Sequence, residues 1–196
     1  LTEHKVMIGL HHWGLVDGKI KTNLATQDEY VRTQSLAQMK HTIDIGKEIG
    51  AVYVNVHPGA RWLETMDFEK QEQTLIPNSE TPSETSRRLF LEGAGELHAY
   101  GVSRGILVTV ETLPGKESVQ YIPREGIYDP GNPPLPLMER IGEHGGFIAN
   151  DFTHTATMAS LGDNSREGMW QALRDFTRRC APFTRLLHLN TTREPF

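Results

Sequence analysis

Five short apolar runs punctuate the chain, and each closes on or near a polar residue: VMIGLHH (6–12), AVYVNVH (51–57), ILVTVE (106–111), GFIAND (146–151) and RLLHLN (185–190). Their lengths are those of strands, and their nearly continuous apolar character predicts strands covered on both faces, as in a parallel sheet. Helix-period stretches lie between them. The first opens at Thr26, where Thr26 and Glu29 have the spacing of a capping box; it places Leu36, Met39 and Ile43 on one face and stops at Gly50. The second starts in Thr81-Pro82-Ser83-Glu84, read as cap, first-turn proline and third-position glutamate, and ends near Gly101. Shorter helical stretches follow at about Leu135 to His144 and Ser165 to Cys180. Strand then helix, repeated, predicts an α/β fold with a parallel sheet.

A barrel and an open doubly wound sheet both satisfy that alternation. Ligand-type residues at the ends of all five strands favour the barrel, because open sheets gather their ligands mainly at one switch point. The expected fold is a TIM (β/α)8-type barrel, partial, with about five strands recognisable. Such barrels take about 250 residues, and this chain has 196. One domain over 1–196 is expected, truncated at both ends or completed by another subunit as a homo-oligomer. Two long connections, roughly Pro58 to Glu80 and Thr112 to Pro134, follow strand ends and mark the functional side. The second, with Tyr121, Arg124 and Tyr128, reads as a lid over substrate, or as an insertion without a role.

Composition narrows the class without changing the fold. Hydrophobic residues make up 37% and charged ones 23%, as in an ordinary globular domain, and no apolar stretch is long enough for a membrane span. The single Cys180 forms no internal disulfide, which fits a reducing compartment, and cytoplasm is the expected location. A formal charge of −5 gives no global attraction to nucleic acid.

The strand ends carry the candidate chemistry. His57 sits in His-Pro-Gly, where the turn leaves its imidazole at the sheet's end; alone it reads equally as a hydrogen-bonded structural histidine. Glu111 ends an apolar strand, where a carboxylate needs a cation: a metal, or a salt bridge to Arg61 or Arg124. Asp151 and His154 form Asp-x-x-His, which is either a ligand pair or a helix-capping aspartate beside an incidental histidine. His188 alternates with Leu187 and Leu189 and therefore faces away from them, toward the barrel interior, with Asn190 nearby. Of His11 and His12 one points inward, and His12 is the expected one, preceding Trp13. Recurrence at five strand ends is hard to produce by core packing, so a divalent-metal enzyme is predicted.

These features resemble the xylose-isomerase-like TIM-barrel superfamily, which includes sugar and sugar-phosphate isomerases and epimerases and the endonuclease IV group of abasic-site nucleases. The match runs from about Lys5 to Asn190, through GAVYVNVHPGA, VTVET, NDFTHT and LHLN. The resemblance implies that His12, His57 and Glu111 hold one metal, and that Glu111, Asp151 and His188 hold a second or the only one. His154 matches the histidine that serves a third zinc in the nucleases. The chain lacks the family's last-strand glutamate and the Asp-x-His segment after LHLN, and Glu194 lies too close to His188 to replace the former. The first two family strands also have no counterpart ahead of Leu1.

Two activities compete. An isomerase or epimerase would use a divalent ion to acidify a carbon-bound proton, with Glu111 relaying it and a second acid or base lying outside this sequence. A nuclease would use clustered zinc to generate hydroxide. Glu64, Asp67, Glu69 and Glu72 make the first long loop acidic, which disfavours a phosphodiester backbone. The expected function is therefore a metal-dependent isomerase or epimerase of a sugar or related small polyol or keto compound. An abasic-site endonuclease is the alternative, and a non-catalytic relative a third. Zinc or manganese is the expected metal, with magnesium or cobalt also compatible. Arg61, Trp13, Tyr121, Arg124 and Asn190 are the candidate substrate contacts.

Overall fold

Residue parity along each central strand decides which side chains meet helices and which meet the site. A computed structural model describes residues 7–70, 72–115, 121–124, 127–130, 132–159 and 165–189, with side chains between 116 and 131 outside the described set. In chain order the elements are β1 (Gly9–His12), β2 (Leu15–Val16), β3 (Ile20–Lys21), α1 (Glu29–Ile49), β4 (Tyr53–Val56), β5 (Glu64–Asp67), β6 (Glu72–Leu75) and α2 (Ser83–Arg104). There follow β7 (Leu107–Glu111), β8 (Tyr121–Arg124), β9 (Ile127–Pro130), α3 (Leu135–Glu143), β10 (Ile148–Asp151), α4 (Phe152–Ala159), α5 (Arg166–Cys180) and β11 (Thr184–His188).

The five expected strands form one parallel sheet in the order β1-β4-β7-β10-β11, each beside its predecessor in the alternation. That sequential order is the order of a barrel wall, and among the described residues the wall does not close. Residues of one parity, Leu10, Val54, Val56, Val108, Val110 and Ile148, pack against Met39 and Ile43 of α1, Phe90 and Leu97 of α2, Met138 and Ile141 of α3 and Phe176 of α5. A fully buried Phe90 contributes about 1.5–3 kcal/mol through this packing. The central strands β4, β7 and β10 are covered on both faces, as expected, but the two faces differ in polarity. The other parity carries His11, Asn55, Thr109, Glu111 and Asp151, so the strands alternate after all, with the polar set turned toward the interior of the curved sheet.

The helix boundaries follow the sequence signals with two exchanges of partner. Asp28 caps α1, accepting from the Val31 amide, while the Thr26 hydroxyl instead accepts from the Asp28 amide at 3.1 Å. Gly50 ends α1 in the left-handed conformation as expected. At α2 the N-cap position is Pro82, with no side-chain cap; Thr81 turns away and accepts from the Gln27 amide at 3.0 Å. The helix ends at Gly105, not Gly101. Gly101 serves packing: a Cβ there would stand 2.7 Å from the Ile106 carbonyl oxygen and against Val108. The capping reading of Asp151 holds: its carboxylate accepts from the His154 amide at 2.9 Å at the start of α4.

The two long connections are not structureless. β5 and β6 form a hairpin that joins β2 and β3 in a four-stranded antiparallel sheet, and β8 and β9 form a hairpin of their own. His98 of α2 is half-buried, and its Nε2 accepts from the Phe147 amide at 2.8 Å, which ties α2 to the start of β10.

Gly95 and Gly101 lie in the same helix, yet only Gly95 has open space at its Cβ position. Gly95→Ala is expected to raise the melting temperature by about 2–4 °C, the equivalent of about 1 kcal/mol of helix propensity, while Gly101→Ala lowers it through the clash with Ile106; scanning calorimetry of both variants checks the opposite signs. Burial depresses the His98 pKa below its ordinary value, so the unfolded chain takes up its proton first. His98 therefore stabilises fully above the unfolded value of about 6.5, and that contribution is lost as pH falls below it. Urea midpoints from pH 7 to 5 should fall less steeply for His98→Gln than for the wild type.

Candidate metal centre at the strand ends

The carboxylate of Glu111, 2% exposed, is the focus of the polar face. His11 Nε2 lies 2.9 Å from Oε2 and His188 Nδ1 3.0 Å from Oε1. His57 Nε2 stands 3.4 Å from Oε2 and His154 Nδ1 3.5 Å from Oε1. The Asn55 amide also donates to Oε2, and the Thr109 hydroxyl, donating to Asn55 Oδ1 at 2.9 Å, holds that amide in orientation. Asp151 completes the group, with His188 Nδ1 3.6 Å from Oδ2 and His154 Nδ1 4.0 Å from Oδ1.

These positions follow from the register. His11 is level with Asn55, and Asn55 with Thr109, so these three lie in one layer of the sheet. Glu111 and His57 come two residues further toward the carboxyl ends, and Asp151 pairs with His188 at the end of β10 and β11. His154 is one helical turn beyond Asp151, and its Nδ1 donates to the Thr112 carbonyl at 2.8 Å, which leaves Nε2 with the lone pair. The Thr112 hydroxyl accepts from the Asp151 amide at 3.0 Å and ties β7 to β10 at the same level.

Burial alone would push the Glu111 carboxyl up. Hydrogen bonds from His11 and His57 and the charges of His57 and His188 outweigh it and hold the group well below the usual carboxylate range. An ionised, buried carboxylate facing four imidazoles, with a second carboxylate beside it, is the donor set of a divalent cation. Two overlapping sets of ligand atoms lie within 4.8 Å of one another: His11, His57 and Glu111, and Glu111, Asp151 and His154. The residues present thus fit a metal ion.

Of the expected ligands, His57, Glu111, Asp151, His154 and His188 converge. His12 does not. Its Nδ1 pairs with the Thr42 hydroxyl at 2.8 Å on the helix side of β1, and burial, with the neighbouring His57 and His11 charges, lowers its pKa to about 4. His11 takes the inward position. The signal was present in the period of two: Leu10 belongs to the helix-facing set, so His12 follows it and His11 does not. Asn55, between Val54 and Val56, carries the same signal and was not singled out.

The expected substrate contacts fare differently. Arg61 is drawn aside, its guanidinium 2.7 Å from Glu80 and bonded to the Thr81 carbonyl, so histidines and not Arg61 accompany Glu111. Trp13 lies edge-on against Phe68 of the loop after β5, with ring centres 5.3 Å apart. The side chains of Tyr121 and Arg124, and the whole of Asn190, lie outside the described residues. No helix among the described residues is long and apolar enough to cross a membrane.

Comparison with curated protein sequences gives no match. Solved structures resemble the fold at low identity. A D-tagatose 3-epimerase-like protein aligns with a TM-score of 0.62 and 17% identity over 97% of this chain and 58% of its own. The 3-keto-D-glucoside 4-epimerase of E. coli aligns at 0.55 and 15%, over 99% of this chain and 76% of its own. The D-psicose 3-epimerase of Clostridium cellulolyticum H10, solved with D-tagatose, aligns at 0.54 and 10%, over 89% and 52%. The chain thus spans between about half and three quarters of the length of these proteins. The model of the xylose isomerase-like TIM barrel family matches residues 1–192. With nearly its whole length matched, and ligand-type side chains gathered at the carboxyl ends of sequentially ordered parallel strands, the chain belongs to the xylose isomerase-like TIM barrel family.

Proposed function

We propose that the protein is a divalent-metal-dependent isomerase or epimerase of a sugar or related small keto compound. The observation that carries this reading is the buried Glu111 carboxylate at the meeting point of His11, His57, His154 and His188. The epimerases among the structural neighbours support it at the level of fold. Metal held there would draw electron density from adjacent substrate oxygens and so acidify the intervening carbon-bound proton.

The chain's own residues supply the rest. Glu111, kept ionised by its imidazole neighbours, is in the protonation state required to accept a proton. Asn55 and Thr109 restrict its rotation, so the carboxylate is aimed before substrate arrives. Asp151 is held by the His154 and Thr112 hydrogen bonds and contributes negative charge at the opposite side of the cluster. Imidazole and carboxylate together suit zinc or manganese. One domain over 1–196 is part of the same proposal.

A second reading has one specific observation in its favour. The two overlapping ligand sets share Glu111, so His11, His57, Glu111, Asp151 and His154 would hold two ions, which would supply a hydroxide for hydrolysis of a phosphodiester. Incubating the metal-loaded protein with an abasic-site duplex and with a panel of ketoses, each with and without chelator, separates the readings: turnover of a ketose supports the first, and strand cleavage alone overturns it.

Glu111→Gln is expected to abolish turnover, by at least a thousandfold, and to weaken metal binding; elemental analysis showing unchanged metal content would count against the assignment. His11→Ala should lower metal affinity about 10–100-fold, while His12→Ala, on the helix side, leaves it within a fewfold. Competition with a fluorescent chelator measures both.

A further inference from the structure

The row of side chains that meets the helices is apolar along β7 and β10 until it reaches the level of the ligand cluster. There Val108 and Val110 are followed, at the next position of that parity, by Thr112, and Ile148 by Asn150. Both polar residues are fully buried, as is Thr155 of α4. The three form one hydrogen-bonded chain. Asn150 Nδ2 donates to the Thr177 hydroxyl of α5 at 3.1 Å, and Asn150 Oδ1 accepts from the Thr155 hydroxyl at 2.7 Å. The single Thr155 proton is thereby used, so the Thr155 oxygen, 3.2 Å from the Thr112 hydroxyl, is free to accept from it. The Thr112 hydroxyl also lies 3.3 Å from the Asp151 carbonyl and accepts from the Asp151 amide at 3.0 Å.

We infer that Thr112 is a positioning residue for the half of the metal centre made by Asp151 and His154: its hydroxyl sets the Asp151 backbone, and its carbonyl sets the His154 ring. The inference rests on the metal reading of the neighbouring cluster and adds the groups that hold one half of it in place. Packing alone would be met by valine, which has the shape of threonine. A hydroxyl in an apolar layer costs desolvation unless its bonds are made, and here each polar side chain from Asn150 to Thr112 has a partner. The chain joins α5 and α4 to β7 and β10, so Asp151 and the start of α4 are held from the side facing away from the site.

The Thr112 carbonyl acts on the same half. A carbonyl only accepts, so His154 Nδ1, at 2.8 Å, carries the proton, and Nε2 keeps the lone pair that a cation requires. Separations of 3.5 Å from Nδ1 to Glu111 and 4.0 Å to Asp151 are too long to compete for that proton. His11 and His57, in the other half, come from β1 and the end of β4.

The test compares Thr112→Val, which removes the hydroxyl and keeps the volume, with Thr112→Ser, which keeps the hydroxyl. Cobalt(II) is titrated into the full chain in competition with a fluorescent chelator, and the visible absorption of the bound ion reports its ligands. Thr112→Val is expected to weaken cobalt binding about 10–100-fold and to alter the visible bands, while Thr112→Ser stays within about threefold of the wild type and keeps its bands. Before metal is added, amide hydrogen exchange at Asp151 should be faster by about tenfold or more in Thr112→Val and unchanged in Thr112→Ser. Exchange at position 112, whose amide donates to the Ala149 carbonyl at 3.0 Å, should be the same in all three proteins; mere loosening would release both amides. Long-range proton–nitrogen NMR of the metal-free wild type should place the His154 proton on Nδ1. Wild-type cobalt affinity or unchanged Asp151 exchange in Thr112→Val, equal losses in the valine and serine variants, or a His154 proton on Nε2 overturns the inference. A wild type that binds no cobalt removes the metal reading of the centre; the exchange pattern then decides for Thr112, its presence sustaining the hold on Asp151 and its absence overturning it.

Discussion

A carboxylate taken out of water is the constraint around which this fold is arranged. Removing an ionised carboxyl from solvent costs several kcal/mol unless its oxygens find partners, and Glu111 is buried at the end of β7. No single neighbouring strand could supply those partners. His11 arrives on β1, Asn55 on β4, His57 just after it and His188 on β11, so one side chain gathers partners from as many as 100 residues away in sequence. The apolar residues of opposite parity provide the rigidity this needs, since the Val54, Val56, Val108 and Val110 contacts with α1 and α2 set the register that brings the imidazoles level.

The same economy of position governs the rim. Asn23 donates to the carbonyls of Ala60 and Trp62, at 2.7 and 3.1 Å, and Leu24 donates to that of Pro58 at 3.0 Å, so the chain after His57 is pinned to the segment before α1. Gly59 permits the approach: its φ is +83°, and a Cβ there would run into Asn23. The imidazole that faces Glu111 and the pocket wall that carries Trp62 and Glu64 therefore hang from one brace. Displacing the loop would therefore move His57 and that wall together.

A shared carboxylate also explains how related chemistries grow on one scaffold. Glu111 belongs to both ligand sets, and the donors on either side, His11 with His57 and Asp151 with His154, come from different strand ends. The strands fix where charge is held, and the loops above them fix what can approach it. Here the loop after β4 has become half of an antiparallel sheet, with the Lys21–Glu64 ion pair linking β3 to β5.

Much of this was legible in the residues themselves. Apolar runs ending in His57, Glu111, Asp151 and His188 established the strands, their parallel order and the end of the sheet where chemistry gathers, because a two-residue period and a strand-end charge are local properties of a chain. The Gly50 stop of α1 and the Ser165 start of α5 were readable for the same reason. Which of His11 and His12 turned inward was also encoded, in the parity of Leu10, though the pattern is short enough to misread. The choice of Asp28 over Thr26 as the cap of α1, the diversion of Arg61 to Glu80 and the recruitment of Lys21 to Glu64 were not encoded locally. Each depends on a partner brought near by folding, and a side chain with several chemically equivalent choices is assigned by distance, which only the packed chain defines.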